Sequence, residues 1–314
     1  MALDPVLQML VDQLPKVPPG PIDHPALRKM SASMIPLLVG PDGPLAVASV
    51  EELEIDSGGT VVPLRIYRPE SDPVGTIHYV HGGGWSMGDL ATVDHTARRL
   101  CRTLSMVVAT SSYRLAPENP FPAAFDDSLA AASWVAANLP RLGGTHRPAA
   151  IAGDSAGGNL VAAICIAMRD SGAPPFAAQL LLYPAVDLRP AAEAYPSRRR
   201  DADPTLRHAS LQTCVDDYAA GASRSDPRLS PIAADDLAGL PPALIVVLTI
   251  DPLRDEAAAY ADRLREAGGT VEVMEFGNLT HGFVHLAGIV PAAAEATDAV
   301  LARLATMLNS APTN

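Results

Sequence analysis

Residues 148–157 read Pro-Ala-Ala-Ile-Ala-Gly-Asp-Ser-Ala-Gly, and this stretch decides the fold of the chain. An apolar run of strand length leads into the turn Gly153–Gly157, and a second apolar run, Leu160–Met168, follows it. A Gly-x-Ser-x-Gly turn between a buried strand and a helix presents its serine hydroxyl to a base. Its two glycines let strand and helix approach closely and tolerate a strained serine backbone. The pattern predicts that Ser155 is a nucleophile; the alternative is that it only caps the helix.

A glycine-rich loop precedes this turn in the chain. The motif His81-Gly82-Gly83-Gly84-Trp85 follows the apolar segment 76–80. Glycines leave backbone N–H groups uncovered, so these groups can point at a developing negative oxygen. The loop therefore predicts an oxyanion-binding site, and a flexible glycine turn is the alternative. We expect His81 to brace the loop and not to transfer a proton.

An acid and a histidine follow the serine. Asp251 comes directly after the apolar run 243–250, and His281 comes after the strand-like segment 270–276. The chain order is therefore serine, acid, histidine. That order is expected of α/β-hydrolases and not of chymotrypsin-like or subtilisin-like enzymes.

Composition limits the classes of partner. The chain has 314 residues, of which 48% are hydrophobic, enough for one large core or for a core with a small accessory domain. A net charge of −12 argues against nucleic acid and against anionic membrane surfaces as partners. The N-terminus lacks a basic start followed by an apolar stretch, and polar residues interrupt the longest apolar runs. We therefore expect a cytoplasmic protein without a membrane span.

Cysteine usage gives no sign of a metal site. Cys101, Cys165 and Cys214 are scattered and form no Cys-x-x-Cys pair. We predict that all three are reduced and packed, and that the chain holds neither a metal nor a disulfide framework.

Strand and helix patterns alternate from about residue 46. This alternation predicts an α/β fold with a mostly parallel, eight-stranded sheet and helices on both faces, whose two leading strands pair antiparallel. The predicted strands are residues 47–55, 61–68, 75–80, 106–112, 148–152, 178–183, 243–248 and 270–275. The predicted helices are residues 92–104, 123–138, 156–169, 255–267 and 292–308.

Two stretches fall outside the alternation. Residues 1–45 are rich in proline and predict one short amphipathic helix followed by irregular chain. Residues 188–228 predict an insertion with a helix at 210–220, and their arginine run around Arg198 is interpreted as a solvated loop. The two parts of the core are then residues 46–187 and 229–314.

Six motifs resemble the hormone-sensitive-lipase-like group of α/β-hydrolases, which includes the bacterial family IV esterases. They are the glycine loop His81–Gly84, the runs Tyr113–Glu118 and Phe121–Ala124, the serine turn Gly153–Leu160, and the runs Asp251–Asp255 and His281–Phe283. The resemblance implies the α/β-hydrolase fold and cofactor-free hydrolysis of carboxylic esters with short to medium acyl chains. It also implies a small helical cap built from residues 1–45 and 188–228. Homodimers through a sheet edge are common in this group.

These residues predict a serine esterase mechanism. His281 takes the proton of Ser155, and Asp251 holds the imidazole and stabilises its charged form. The N–H groups of Gly82, Gly83 and Ala156 are predicted to receive the oxyanion. The predicted pocket residues are Trp85, Leu211 and Tyr218; the alternative for Trp85 is that it only packs in the core. The predicted partner is a small ester substrate, with no cofactor and no metal.

Other motif residues are expected to be structural. We expect Asp154 and Asp255 to form hydrogen bonds within turns, and Arg114 and Glu118 to share a polar network near the glycine loop. His285 is expected to be a packed histidine.

Two alternative functions stay open at this point. The same triad could cleave an amide, a lactone or an acetyl group, since fold-level analogy does not select the bond. The chain could also be a non-catalytic ligand-binding relative, although such relatives lack the histidine that is present here as His281.

Overall fold

The computed structural model describes residues 2–13, 23–41, 43–143, 149–173 and 176–310. Its centre is an eight-stranded sheet with strand order β1-β2-β4-β3-β5-β6-β7-β8. The strands are β1 Ser49–Ser57, β2 Thr60–Arg68, β3 Thr76–Val80, β4 Val107–Ser111, β5 Ala150–Asp154, β6 Ala178–Leu182, β7 Ala243–Leu248 and β8 Val271–Phe276. Strand β2 is antiparallel to both of its neighbours, and all other neighbouring pairs are parallel. The predicted mostly parallel sheet and its antiparallel leading pair are confirmed.

Helices cover both faces of this sheet. They are α1 Pro5–Gln13, α2 His24–Leu38, α3 Asp94–Leu104, α4 Ala123–Ala137, α5 Leu139–Leu142, α6 Ala156–Asp170, α7 Pro196–Arg200, α8 His208–Ala219, α9 Arg254–Glu266 and α10 Pro291–Ser310. The predicted strands and core helices are all present, with ends that differ by at most two residues. Residue 148, where one predicted strand begins, lies outside the described residues.

Two apolar layers bury the central strands. Side chains of α4, α6 and α9 form one layer, which includes Ile151, whereas α3 and α10 form the other, which includes Ala150 and Ala152. This split follows from the alternation of side chains along a strand. Every residue of β3 to β7 is buried, as expected of parallel strands covered on both faces. The carboxyl ends of these parallel strands therefore lie at the same edge of the sheet.

The N-terminal segment contains two helices where the sequence predicted one. Helix α2 begins where Asp23 accepts a hydrogen bond from the N–H of Ala26, with Pro25 in the first turn. An acidic N-cap and an early proline both favour a helix start, so this part of the proline-rich stretch is not irregular. Residues 14–22, where irregular chain was also predicted, lie outside the described residues.

The insertion also differs from its prediction at the arginine run. The helix predicted at 210–220 is α8, but the run lies in α7 and not in a solvated loop. Arg198 is 2% exposed and donates to Glu256 Oε2 and to the carbonyl of Asp187. Glu256 is fully buried on α9, and burial raises the pKa of its carboxyl to about 7 although the charge and hydrogen bond of Arg198 lower it; Arg198 is thus the buried cation that favours the ionised form. None of the helices in the described residues is long and apolar enough to span a membrane.

Candidate active site

Ser155 lies in the sharp turn between β5 and α6. Its backbone has φ 54° and ψ −117°, a conformation that a non-glycine residue rarely adopts. The flanking glycines permit this turn, because a Cβ on Gly157 would collide with the carbonyl oxygen of Val80 and one on Gly153 with that of Gly157. The serine hydroxyl is thus presented at the carboxyl end of the sheet.

Ser155, His281 and Asp251 form one hydrogen-bonded chain. His281 Nε2 lies 2.8 Å from Ser155 Oγ, and His281 Nδ1 lies 2.7 Å from Asp251 Oδ2. Asp251 is completely buried, and its other oxygen accepts the N–H of Leu253 at 2.8 Å. A carboxylate at Nδ1 fixes the proton on that nitrogen and leaves Nε2 free to accept the serine proton. The three residues predicted from the sequence are brought together.

Electrostatics favour the imidazolium form of His281. Burial by itself lowers the pKa of this histidine. The charge and hydrogen bond of Asp251, with the charges of Asp203 and Asp154, more than offset burial and raise the pKa above its ordinary value of 6.5. The surroundings of His281 thus favour its protonated, charged form.

Three residues that the sequence did not single out surround His281. Asp203 is completely buried and accepts the N–H of His281 at 2.7 Å, while the hydroxyl of Thr205 lies 3.1 Å from the carbonyl oxygen of His281. The ring of Tyr183, a residue with φ 37°, lies 4.7 Å from the imidazole, centre to centre. Asp203 and Thr205 belong to an insertion without a recognised motif, so no sequence signal connected them with the histidine.

The glycine loop is tied to the serine turn through Asp154. The Asp154 carboxylate accepts the Gly82 N–H at 2.9 Å and the Tyr79 hydroxyl at 2.7 Å, and it lies 3.0 Å from His285 Nε2. Asp154 therefore connects separate segments, and the expectation of a bond within its own turn is wrong. His285 is likewise a hydrogen-bond partner of Asp154 and not only a packed histidine.

This connection corrects one predicted oxyanion donor. The N–H of Gly82 is already bonded to Asp154, so it is not free to bind a substrate oxygen. Within the described residues, the N–H groups of Gly83, Gly84 and Ala156 have no protein acceptor. Gly83 and Gly84 have φ values of 116° and 58°, and a Cβ on Gly83 would collide with the carbonyl oxygen of Met87. The loop donors without a protein acceptor are thus Gly83 and Gly84, whereas the sequence predicted Gly82 and Gly83; Ala156 is as predicted.

His81 braces the loop, as expected. Its Nδ1 lies 2.8 Å from the carbonyl oxygen of Gly82, and its ring stacks on Tyr113 with centres 4.2 Å apart. Burial lowers the pKa of His81, which keeps this histidine neutral.

The expected network of Arg114 and Glu118 is not present. Arg114 pairs with the buried Asp127, whereas Glu118 pairs with Arg28 of α2. Glu118 therefore connects the motif to the N-terminal segment.

Asp255 also acts at longer range than expected. Its carboxylate accepts the backbone N–H of Ser197 at 2.8 Å, so it connects the start of α9 to α7. Its other carboxylate oxygen accepts a hydrogen bond from Nη1 of the neighbouring Arg254 at 3.0 Å, so the expected bond within the turn is present as well.

Helices α2 and α8 lie near the glycine loop. Arg28 of α2 donates to the carbonyl oxygen of Ser86 at 2.7 Å, and His24 pairs with Asp217 of α8 at 2.7 Å. The predicted pocket residues Trp85, Leu211 and Tyr218 belong to one buried cluster. Trp85 and Tyr218 stack in parallel with ring centres 4.7 Å apart. Both aromatic rings therefore pack against each other between the loop and α8.

Comparison with known proteins agrees with this geometry. A family model described as an alpha/beta hydrolase fold matches residues 77–285. Carboxylesterase NlhH of Mycobacterium tuberculosis is 39% identical over 98% of this chain and 97% of its own. Ethyl acetate hydrolase of Pseudomonas putida is 34% identical over 76% of each chain. The chain is also similar in structure to a hyperthermophilic esterase of the archaeon Pyrobaculum calidifontis, with a TM-score of 0.88 and 35% identity over 98% of this chain and 99% of that one.

Proposed function

Because the chain belongs to the hormone-sensitive-lipase-like α/β-hydrolases and is a carboxylic-ester hydrolase, we propose that it cleaves short- to medium-chain acyl esters through Ser155, His281 and Asp251. The observation that carries this proposal is the hydrogen-bonded chain from Ser155 Oγ through the imidazole to Asp251, with both distances below 3 Å. An activated serine needs a base within this reach and a group that orients the base.

Acylation begins with proton transfer. His281 Nε2 accepts the hydroxyl proton while Ser155 Oγ forms a bond to the ester carbonyl carbon. The resulting imidazolium is stabilised by Asp251, which stays ionised. His281 then gives the proton to the leaving alcohol oxygen as the carbon–oxygen bond breaks, and the acyl group remains on Ser155.

The tetrahedral oxyanion binds to backbone donors. We assign this role to the N–H groups of Gly83, Gly84 and Ala156, since Gly82 already donates to Asp154. Loss of one donor of this kind costs about 2.7–4 kcal/mol in other serine hydrolases, so the hole is a major source of transition-state stabilisation.

Deacylation repeats the chemistry with water. His281 removes a proton from a water molecule, which attacks the acyl carbon, and the same N–H groups bind the second oxyanion. Proton return to Ser155 Oγ releases the carboxylic acid and restores the enzyme.

Substrate selection is assigned to a cap formed by residues 1–45 and 188–228. The contacts of α2 and α8 with each other and with the glycine loop support this assignment. Each methylene of the acyl chain contributes at most about 0.8 kcal/mol while it still finds apolar surface, and nothing beyond the end of the pocket. We therefore expect kcat/KM to rise with acyl length, to peak near about four to eight carbons, and then to fall.

A series of p-nitrophenyl esters from acetate to palmitate tests this proposal. Ser155→Ala should abolish hydrolysis in a folded protein, whereas Ser49→Ala, at an exposed serine of β1, should leave kcat unchanged. A fluorophosphonate should label Ser155 in wild type and in the control variant only. Retention of most of kcat by Ser155→Ala, or a preference for palmitate, would contradict the proposal.

A homodimer through the sheet edge is also proposed. Strand β8 stands at one end of the strand order, and its Val273 is 37% exposed. Pairing of two such edges would cover this apolar side chain. Sedimentation equilibrium of wild type and Val273→Lys tests the assignment, since a charge on the edge should shift a dimer toward monomer.

A further inference from the structure

The segment between α7 and α8 contacts the backbone of His281. Asp203 lies in this segment and has no exposed surface. Its Oδ2 accepts the backbone N–H of His281 at 2.7 Å, and its Oδ1 accepts the N–H and the hydroxyl of Thr205 at 2.8 and 2.7 Å. Hydrogen-bond donors therefore approach both carboxylate oxygens, which is the arrangement that stabilises an ionised carboxylate.

The same segment also faces the carbonyl group of His281. Thr205 Oγ1 lies 3.1 Å from that carbonyl oxygen, so its single proton can bond either to the carbonyl or to Asp203. Both polar groups of the His281 backbone are thus in contact with Asp203 or Thr205. This fixes the position of the Cα from which the imidazole extends to Ser155.

Several charged and titratable groups face this histidine. They are Asp251 after β7, Asp154 at the end of β5, Asp203 from the insertion, and the ring of Tyr183 after β6. Burial, followed by the charge of Asp251, raises the pKa of Asp203 above its ordinary value of 3.8, and the bonds from Thr205 and from the His281 N–H, with the charge of His281, offset only part of this rise. Among the carboxylates that favour the charged imidazole of His281, Asp251 has the largest effect and Asp203 the next largest.

We propose that Asp203 is a positioning residue for the general base: it holds the His281 backbone in place and adds a second negative charge that favours the imidazolium. The inference rests on the proposed role of His281 as the base. Asp203 lies within residues 188–228, the stretch assigned to the cap. Through Asp203, the part of the chain proposed to select the substrate thus contacts the proposed base, His281.

Asp203→Asn tests the charge while it keeps the shape of the side chain. We expect the acidic limb of the kcat/KM profile to move down by about one pH unit, because an opposite charge next to a titrating group shifts its pKa by at least about that much. The plateau kcat should fall by about tenfold to a hundredfold through misplacement of the imidazole. KM should change by less than about twofold, because Asp203 touches only His281 and Thr205 among the groups of the proposed site.

Asp201→Asn is the matched control. Asp201 is exposed in the same segment, and its carboxylate accepts only the N–H of His208 at the start of α8. This variant loses the same charge and should keep the wild-type acidic limb and kcat. An acidic limb of Asp203→Asn that coincides with that of Asp201→Asn overturns the inference.

Thr205→Val provides a second, independent variant. It keeps the Asp203 charge and removes the hydroxyl beside the His281 carbonyl, so kcat should fall while the acidic limb stays in place. If Asp203→Asn does not fold, an unchanged kcat in Thr205→Val overturns the positioning role. Failure of the proposed function would look different, since wild type itself would then show no acidic limb and no labelling of Ser155.

Discussion

Two substitutions of the buried Asp154 separate the effect of its negative charge from the effect of its hydrogen bonds. Its Oδ1 accepts hydrogen bonds from Tyr79 and Gly82, and its Oδ2 faces His285. An Asp154→Asn amide can keep both bonds on its oxygen and place its N–H₂ group, which carries no charge, opposite His285. Asp154→Ala instead leaves the Tyr79 hydroxyl and the Gly82 N–H without an acceptor.

The size of the charge effect follows from the pKa of Asp154. Burial raises this pKa, but the charge and hydrogen bond of His285 and the bonds from Tyr79 and Gly82 outweigh burial, and the pKa falls from 3.8 to about 2. A difference of roughly two units corresponds to about 2 kcal/mol of folding stability. Because the folded-state pKa is the lower one, this stability is present above about pH 4 and is lost as the pH falls toward about 2.

Two measurements separate the variants. In urea unfolding, Asp154→Asn should lose about 2 kcal/mol near pH 7 and roughly half of that near pH 3. Asp154→Ala should lose a further ~2–6 kcal/mol, since it leaves two buried donors unpaired and each costs about 1–3 kcal/mol. In hydrolysis of p-nitrophenyl butyrate, the alanine variant should lose about 10²–10³ in kcat as the glycine loop is released, whereas the asparagine variant should stay within about tenfold of wild type.

Equal losses of kcat in the two variants would show that Asp154 does not hold the glycine loop, because the alanine variant alone releases the loop. A stability loss of Asp154→Asn that is the same at both pH values would contradict the lowered pKa of Asp154, since the carboxylate would then not be ionised in the folded protein.

The other predictions concern the base and the buried ion pair. The acidic limb of kcat/KM should have an apparent pKa above 6.5, because the pKa of His281 is raised and the imidazole is protonated, hence inactive, below it; a rate that is flat from about pH 5 to about pH 9 would contradict a histidine base. Arg198→Ala should cost about 3–5 kcal/mol in urea unfolding, because it leaves Glu256 buried without its cation. Arg199→Ala, at the exposed neighbouring arginine, should change stability by less than about 0.5 kcal/mol, and a similar loss in both would count against the buried pair.

Long-range hydrogen bonding decided what the sequence did not. The glycine motif predicted that the N–H of Gly82 binds the oxyanion. In the structure this N–H donates to Asp154, which lies 72 residues later in the chain. Arg198 was interpreted as solvated because neighbouring arginines usually are, yet Glu256, 58 residues away, requires its charge. Such contacts depend on which segments pack together, so the residues next to Gly82 or Arg198 in the chain do not indicate the partner.

The residues of the site that depend on local backbone geometry could be predicted from the amino-acid sequence. The turn around Ser155 needs glycines on both sides, and Asp251 and His281 follow strand patterns whose carboxyl ends meet at one edge of a parallel sheet. Periodicity and turn chemistry are properties of neighbouring residues, so they can be recognised in the chain itself. Only the tertiary structure decided which N–H groups stay free for an oxyanion and that Asp203 meets His281, because a hydrogen bond between distant segments exists only once packing has brought them together.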